Sequence, residues 1–229
     1  MAPIWVIAHR GFSSNFPENT LLAFREAQRV GVDMVECDVH LTRDGKLVVI
    51  HDSALDRTTD GSGPVGAYTM QELGALDAGS GERLPTLQEL LDAVSLPVVV
   101  EIKTADVVAP LIALYSAQPE LKQRLFPIAF SHRAIAAITA AHPGLFSGVL
   151  YAGSPIDPAS LALAAGATLL SPYIKTISAH EVESAHQHGL RISPWTVDSE
   201  EDMDLCASLG VDGIATNRPD VALRRLRHG

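Results

Sequence analysis

Cysteine is scarce: Cys37 and Cys206 are the only two in 229 residues. They lie far apart, form no CxxC pair and build no disulfide framework. That usage fits a reducing compartment, and a cytoplasmic location is expected. Positive charge is also short. Lys and Arg total 17 against 27 Asp and Glu, a net charge of −10. This is the wrong sign for a protein that embraces nucleic acid or an anionic membrane. Long apolar runs are missing too. The longest stretch without a charged side chain, Ala134–Ile156, is broken by Pro143, Gly144, Gly148 and Gly153, so no stable membrane insertion is expected. The opening MAPIWVIAHRG has no basic segment before its short apolar run and reads as a first strand, not a secretory signal. No Gly-rich phosphate loop follows that strand, which argues against a doubly wound nucleotide fold. A G-x-S-x-G elbow is absent as well, which argues against a serine hydrolase.

What is present is a regular alternation. Hydrophobic residues make up 47% of the chain, enough for a core, and no linker or repeat divides it, so residues 1–229 read as one domain. Strand-like runs occur at Ile4–His9, Met34–Val39, Leu47–His51, Val98–Lys103, Pro127–Ser131, Gly148–Tyr151, Thr168–Tyr173, Arg191–Val197 and Gly213–Thr216. Helical patterns lie between them. Capping-box patterns open at Thr69, Thr86 and Ser178, Ser199 and Gly210 bracket a further helix, and Gly189 marks a stop. Such alternation implies a parallel sheet with crossover helices.

Nine strands are one too many for a (β/α)8 TIM barrel. Val39 and Leu47 are joined by a short polar link containing Arg43, Asp44 and Gly45. A parallel crossover needs a dozen or more residues, so Leu47–His51 must return antiparallel as a hairpin. Eight staves remain. Residues from about 53 to 84, rich in turn formers, read as an insertion after the hairpin with one short helix near Met70–Leu76.

Barrel enzymes place their chemistry at the C-terminal ends of the strands, and those ends are polar here. Glu36 and Asp38, two apart on a strand, share one face, while Cys37 points to the helices. Glu101 and Lys103 repeat the spacing. Three converging carboxylates repel; either they are solvated charges at strand ends or, the favoured reading, a hard divalent cation, Mg²⁺ or Ca²⁺, joins them. Counting back from the Asp44-Gly45 turn sets Asp38 roughly opposite His51, with His9 on the neighbouring first strand. Two imidazoles there suit metal ligation or general acid–base chemistry. The other seven histidines fall mostly in helices or loops and read as ordinary. Arg10 and Lys103 offer local positive charge for a phosphate, or structural ion pairs. Trp195 and Phe12 read as an apolar wall of the pocket or as rim packing. Together the residues suit cleavage of a phosphodiester.

The chain resembles the glycerophosphodiester phosphodiesterase family. The words that carry the resemblance are AHRGFSSNFPENT at Ala8–Thr20, VECDVHLTRDGKLVVIHD at Val35–Asp52, LDRTTDGSGPV at Leu55–Val65, LPTLQELL at Leu84–Leu91, VVVEIK at Val98–Lys103, PWTVDSEEDM at Pro194–Met203 and GVDGIATNRPD at Gly210–Asp220. They fall in order and span nearly the whole chain. The resemblance implies a TIM barrel, one divalent cation on Glu36, Asp38 and Glu101, and His9 and His51 as the acid/base pair. It sets Arg10 and Lys103 near the phosphate; Trp195, by its own place at a strand end, is expected against the substrate. The implied reaction hydrolyses a small glycerophosphodiester to glycerol 3-phosphate and an alcohol, with the substrate's own neighbouring hydroxyl attacking phosphorus. Two positions depart from the family's common pattern: Asp198 stands where the family often has Asn, and Asn217 where it often has Asp. Both are expected to lie outside the constellation of histidines and carboxylates. The competing readings are a lipid-directed barrel phosphodiesterase, like phosphatidylinositol-specific phospholipase C or sphingomyelinase D, and a non-catalytic phosphoglycerol-binding protein.

Overall fold

The computed structural model describes residues 3–227; the two residues at each end of the 1–229 span lie outside the described residues. The strands are β1 (Trp5–His9), β2 (Met34–Leu41), β3 (Leu47–Val49), β4 (Val98–Ile102), β5 (Leu125–Ala129), β6 (Gly148–Tyr151), β7 (Leu169–Pro172), β8 (Arg191–Ile192) and β9 (Gly213–Thr216). The helices are α1 (Leu21–Val30), α2 (Met70–Leu73), α3 (Leu87–Ala93), α4 (Val108–Ala117), α5 (His132–Ala141), α6 (Pro158–Ala164), α7 (Ala179–Gln187), α8 (Glu200–Leu209) and α9 (Pro219–Arg227). Eight strands pair in parallel in the order β8-β7-β6-β5-β4-β2-β1-β9, and β3 lies antiparallel on β2. Backbone hydrogen bonds from Asp212 to Ile192, from Ala215 to Pro194 and from Val197 to Ala215 bridge the seam beside β9. The architecture is a (β/α)8 barrel, as the strand count and hairpin argument required.

Strand alternation sorts the side chains into two cores. Val6, Ala8, Val35, Cys37, Val98 and Val100 face outward and pack under the helices. Ile7, Val99, Ile128, Leu150, Leu169 and Ala215 face inward and fill the barrel. Cys37 is fully buried on the outer side, and burial pushes its thiol pKa well up, so it is inert. Burying such apolar side chains contributes about 1.5–3 kcal/mol each before entropy is counted.

Helix ends follow their capping residues. Thr69 and Thr86 each accept a backbone N–H from the third helical residue while Glu72 and Glu89 reach back, so both capping boxes form. Ser199 caps α8, and Gly210 closes it at φ 75°. Ser178 differs. Its hydroxyl bonds the Glu181 carboxylate directly and makes no cap to the backbone. Four strand readings shift by two residues or more. The second runs on to Leu41. The fifth begins two residues earlier than expected and carries Pro127 in its interior; β8 is only two residues long; and β3 ends at Val49.

Residues 53–84 return to the barrel carrying the short helix α2. Leu55, Val65, Leu73, Ala78 and Leu84 pack with Val48 and Ile50 of the hairpin as a small core of their own. No helix among the described residues is long and apolar enough to cross a membrane.

Candidate active site

The register of three neighbouring strands assembles the site. His9 pairs with Glu36 across β1 and β2, and Asp38 pairs with Glu101 across β2 and β4. All four side chains therefore point inward at the C-terminal rim. One carboxylate oxygen from each of Glu36, Asp38 and Glu101 lies within 4.8 Å of the others, and all three residues are buried. Neither Glu36 Oε1 nor Asp38 Oδ1 finds a hydrogen-bond partner among the described residues.

The cations surround this trio without neutralising it completely. Lys103 Nζ donates to Glu101 Oε1 at 2.7 Å and stands 3.4 Å from Asp38 Oδ1. Arg10 Nε is 3.3 Å from Asp38 Oδ2 but out of hydrogen-bonding geometry, while its Nη1 donates to Glu18 at 3.0 Å. Arg10 adopts φ 56°, a conformation uncommon outside glycine, and this turns its backbone N–H onto Glu36 Oε2 at 2.9 Å. Asn19, at φ 59°, donates Nδ2 to Asp38 Oδ2 at 2.9 Å.

Burial, and then the charges of Asp38 and Glu101, push the Glu36 carboxyl well above its usual pKa. Glu101 is also raised, by burial and by Asp38. Burial works on Asp38 in the same direction, yet Lys103 and Arg10 outweigh it and hold that carboxyl below the usual range. The trio thus offers hard oxygen donors, two of them without a hydrogen bond among the described residues, in a buried cluster with excess negative charge. A divalent cation fits these residues.

Both histidines flank the trio. His9 Nε2 is 3.9 Å from Glu36 Oε2, and its Nδ1 meets the Asn217 amide oxygen at 2.8 Å. Burial, then Arg10, lowers the His9 pKa. His51 meets Asp52 Oδ1 through Nδ1 at 2.6 Å. Ile50, not His51, bonds opposite Asp38, so the hairpin register is one residue from the expected one; His51 sits just beyond the ladder. His40, ordinary by its sequence, is buried on β2 and bonds the His51 carbonyl at 3.1 Å.

Opposite the charged half, the pocket wall is apolar, formed by Ile128, Phe130, Leu150, Leu169 and Trp195. Phe130 meets Trp195 edge-on at 5.4 Å. Phe12 is not part of this wall: it is buried in the outer core and packs on Phe16. Asn217, expected outside the constellation, touches His9 directly and carries Asp198 behind it at 2.7 Å. Sequence reading also passes over Asn19, Glu18, Asp52 and Arg57, none of which announces its partner by spacing.

A (β/α)8 barrel whose mouth gathers oxygen donors, two imidazoles and two cations defines a class: enzymes that cleave phosphoric diesters. Comparison with known proteins narrows the class. Residues 9–221 match the Glycerophosphoryl diester phosphodiesterase family. A glycerophosphodiester phosphodiesterase of Caldanaerobacter subterraneus subsp. tengcongensis is 40% identical over 238 residues, covering 98% of each chain. One from Bacillus altitudinis is 34% identical over 236 residues, covering 96% of each. Among solved structures, an Oleispira antarctica phosphodiesterase in complex with the product sn-glycerol-3-phosphate superposes with a TM-score of 0.88 at 26% identity, over 97% of this chain and 96% of that one. A glycerophosphodiester phosphodiesterase from Agrobacterium tumefaciens gives 0.84 at 28%, over 96% and 98%. The chain belongs to the glycerophosphoryl diester phosphodiesterase family and is an enzyme of that class.

Proposed function

We propose that the protein hydrolyses small glycerophosphodiesters to glycerol 3-phosphate and an alcohol, using one divalent cation and the two histidines at the barrel mouth. The observation that carries this reading is the convergence of Glu36, Asp38 and Glu101, with two oxygens lacking a hydrogen bond among the described residues, between His9, His51, Arg10 and Lys103. Glu36, Asp38 and Glu101 would hold the cation. Bound there, it supplies Lewis acidity, polarising a phosphoryl oxygen and making a nearby hydroxyl easier to deprotonate. Mg²⁺ and Ca²⁺ both suit all-oxygen ligands.

The chain's own residues do the rest. Arg10 and Lys103 balance the phosphate charge from two sides of the cluster. Each histidine has its Nδ1 engaged by an oxygen acceptor, Asn217 or Asp52, so each presents Nε2 to the pocket. One Nε2 takes the proton of the substrate hydroxyl next to the phosphorylated carbon, whose oxygen attacks phosphorus. The other gives its proton to the departing alcohol oxygen. Water then opens the cyclic phosphate to glycerol 3-phosphate. The apolar wall around Trp195 and Phe130 packs the carbon skeleton and excludes water. The chain works as one domain, with residues 53–84 as a subdomain that carries Arg57 to the rim. A cytoplasmic setting suits its two free, buried thiols.

Glycerol 3-phosphate release from glycerophosphocholine and glycerophosphoethanolamine, measured with added Mg²⁺ or Ca²⁺ and with EDTA, tests the reading. Turnover that needs the cation is expected. Full activity in EDTA, or no release from any glycerophosphodiester, overturns it.

A further inference from the structure

Asp198 and Asn217 are hydrogen-bonded to each other. Asp198 lies in the loop between β8 and α8, and Asn217 follows β9. Asn217 Nδ2 donates to Asp198 Oδ2 at 2.7 Å, and the Asn217 backbone N–H donates to Asp198 Oδ1 at 2.8 Å. Thr216 Oγ1 donates to the same Oδ1 at 3.1 Å. A carboxylate only accepts, so it dictates which end of the Asn217 amide faces it: the NH₂ end. The amide oxygen is thereby aimed at His9 Nδ1, 2.8 Å away; Ser13 Oγ lies 2.8 Å from that oxygen and 2.8 Å from the His9 carbonyl, with one proton for the two. An oxygen in that place requires a proton on His9 Nδ1.

We propose that Asp198, acting through Asn217, is a positioning residue that fixes His9 as the Nδ1–H tautomer and so keeps Nε2 as the atom turned to the reacting group. This rests on the reading of His9 as a proton-transfer residue. The negative charge stands one hydrogen bond further from the imidazole than in a direct carboxylate–histidine pair, and the amide relays orientation without placing an anion beside the ring. Asp198→Asn removes the dictating charge. The introduced side chain then turns its own NH₂ to the amide oxygen of Asn217, the Asn217 amide flips, and its NH₂ faces His9. Only the Nε2–H tautomer satisfies that arrangement. Asn217→Asp sets two carboxylates against each other. Asp198→Asn with Asn217→Asp exchanges the amide and the carboxylate, and an acceptor again faces His9 Nδ1.

The cycle of two single variants and the double variant tests this, with two readouts. Long-range ¹H–¹⁵N NMR of the ligand-free proteins at about pH 8, where an ordinary imidazole is neutral, reports the His9 tautomer without any substrate. Wild type and the double variant should show Nδ1–H, and Asp198→Asn should show Nε2–H. In turnover of glycerophosphocholine, Asp198→Asn should lower kcat at least about tenfold with KM nearly unchanged, because a wrong tautomer removes a function and not a binding contact. The double variant should recover to within about threefold of wild type. A merely structural pair would lower the melting temperature of the singles and leave tautomer and kcat unmoved; that outcome overturns the proposal. So does a folded double variant no faster than the slower single. Should a single variant fail to fold, the tautomer in wild type and the double variant decides, since Nε2–H in either is fatal to the idea. If wild type releases no glycerol 3-phosphate, the functional reading fails, and the NMR cycle still judges the positioning.

Discussion

His51 Nδ1 and Asp52 Oδ1 stand 2.6 Å apart, so two consecutive residues hold an imidazole and its carboxylate partner where the hairpin leaves the barrel. Asp52 does not stand alone. Arg57, from the insertion, donates Nε to Asp52 Oδ2 at 2.6 Å and bonds Glu18 through both terminal nitrogens, and Glu18 accepts from Arg10. The hydrogen bonds of Arg57 and then of His51 hold the Asp52 carboxyl far below its usual pKa. Asp52 therefore stays ionised across the neutral range, and its orienting effect does not titrate there. His51→Ala should cost about 10²–10⁴-fold in kcat, the usual worth of a general acid or base. Asp52→Asn and Arg57→Ala should cost less, about 10–100-fold, as the loss of an orienting partner does. Steady-state kinetics with circular dichroism as a folding control checks the order; equal losses for all three would show that the network matters as a unit.

A proton would compete with a cation bound at the acidic trio. Glu36 has its folded pKa raised, by burial first and by Asp38 and Glu101 after it. Without a cation the folded state then holds a proton that the unfolded chain has released, so stability falls as pH rises through this window, above the ordinary carboxylate range. Asp38, with its pKa lowered, acts oppositely and only in acid, where stability falls as pH drops through its folded value. Cation binding should therefore release protons, tighten as pH rises from acid towards neutral, and raise the melting temperature most at the upper end. Calorimetry in buffers of different ionisation enthalpy measures the released protons. Glu101→Gln should abolish both the binding and most of the turnover.

The barrel was legible because its physics is local. Val39 and Leu47 are too close in sequence for a parallel crossover, and Glu36 and Asp38 share a face by the two-residue period of a strand. The structure departs where long-range geometry decides. Pro127 donates nothing to a ladder and so reads as a strand start, yet β5 accommodates it inside. The link between Asp198 and Asn217 joins the loops that follow two strands, across 19 residues of sequence, and no periodicity encodes it. Asn19 reaches Asp38 by the same kind of closure.

The turn that aims Arg10 depends on Gly11. Its φ is 78°, and a Cβ built there would lie 2.7 Å from the Ala23 carbonyl carbon and 2.8 Å from the Ala23 Cβ. Gly11→Ala should destabilise by roughly 1–3 kcal/mol or more, combining strain with overpacking. Gly45, at φ 75° in the hairpin turn, meets nothing within 4 Å, so Gly45→Ala carries only the conformational part, about 1 kcal/mol. Urea titration of both variants separates the two contributions. Similar midpoints would mean that α1 yields to the added methyl.

The attacking group follows from which hydroxyls the chain leaves unactivated. Ser13 Oγ has its one proton shared between two acceptors, the His9 carbonyl and the Asn217 amide oxygen, and Ser171 Oγ donates to the Ser193 carbonyl. Neither hydrogen-bonds a base, nor does Ser193 Oγ on the pocket wall, which has no partner among the described residues, and both cysteines are buried thiols with raised pKa values. Water and the hydroxyl of the substrate remain. An intramolecular hydroxyl already sits beside phosphorus, and well-oriented cases reach effective molarities of about 10⁵–10⁸ M. Water has no such advantage in a pocket whose far wall is apolar. A 2-deoxy glycerol analogue should therefore bind with near-normal affinity and turn over at least about 10³-fold more slowly, a loss within what proximity supplies. Cyclic glycerol phosphate should appear transiently by ³¹P NMR when the second step is slowed by low temperature. Rapid hydrolysis of bis(p-nitrophenyl) phosphate, which has no neighbouring hydroxyl, would move the attack to water and leave the histidines their proton transfers with a different partner.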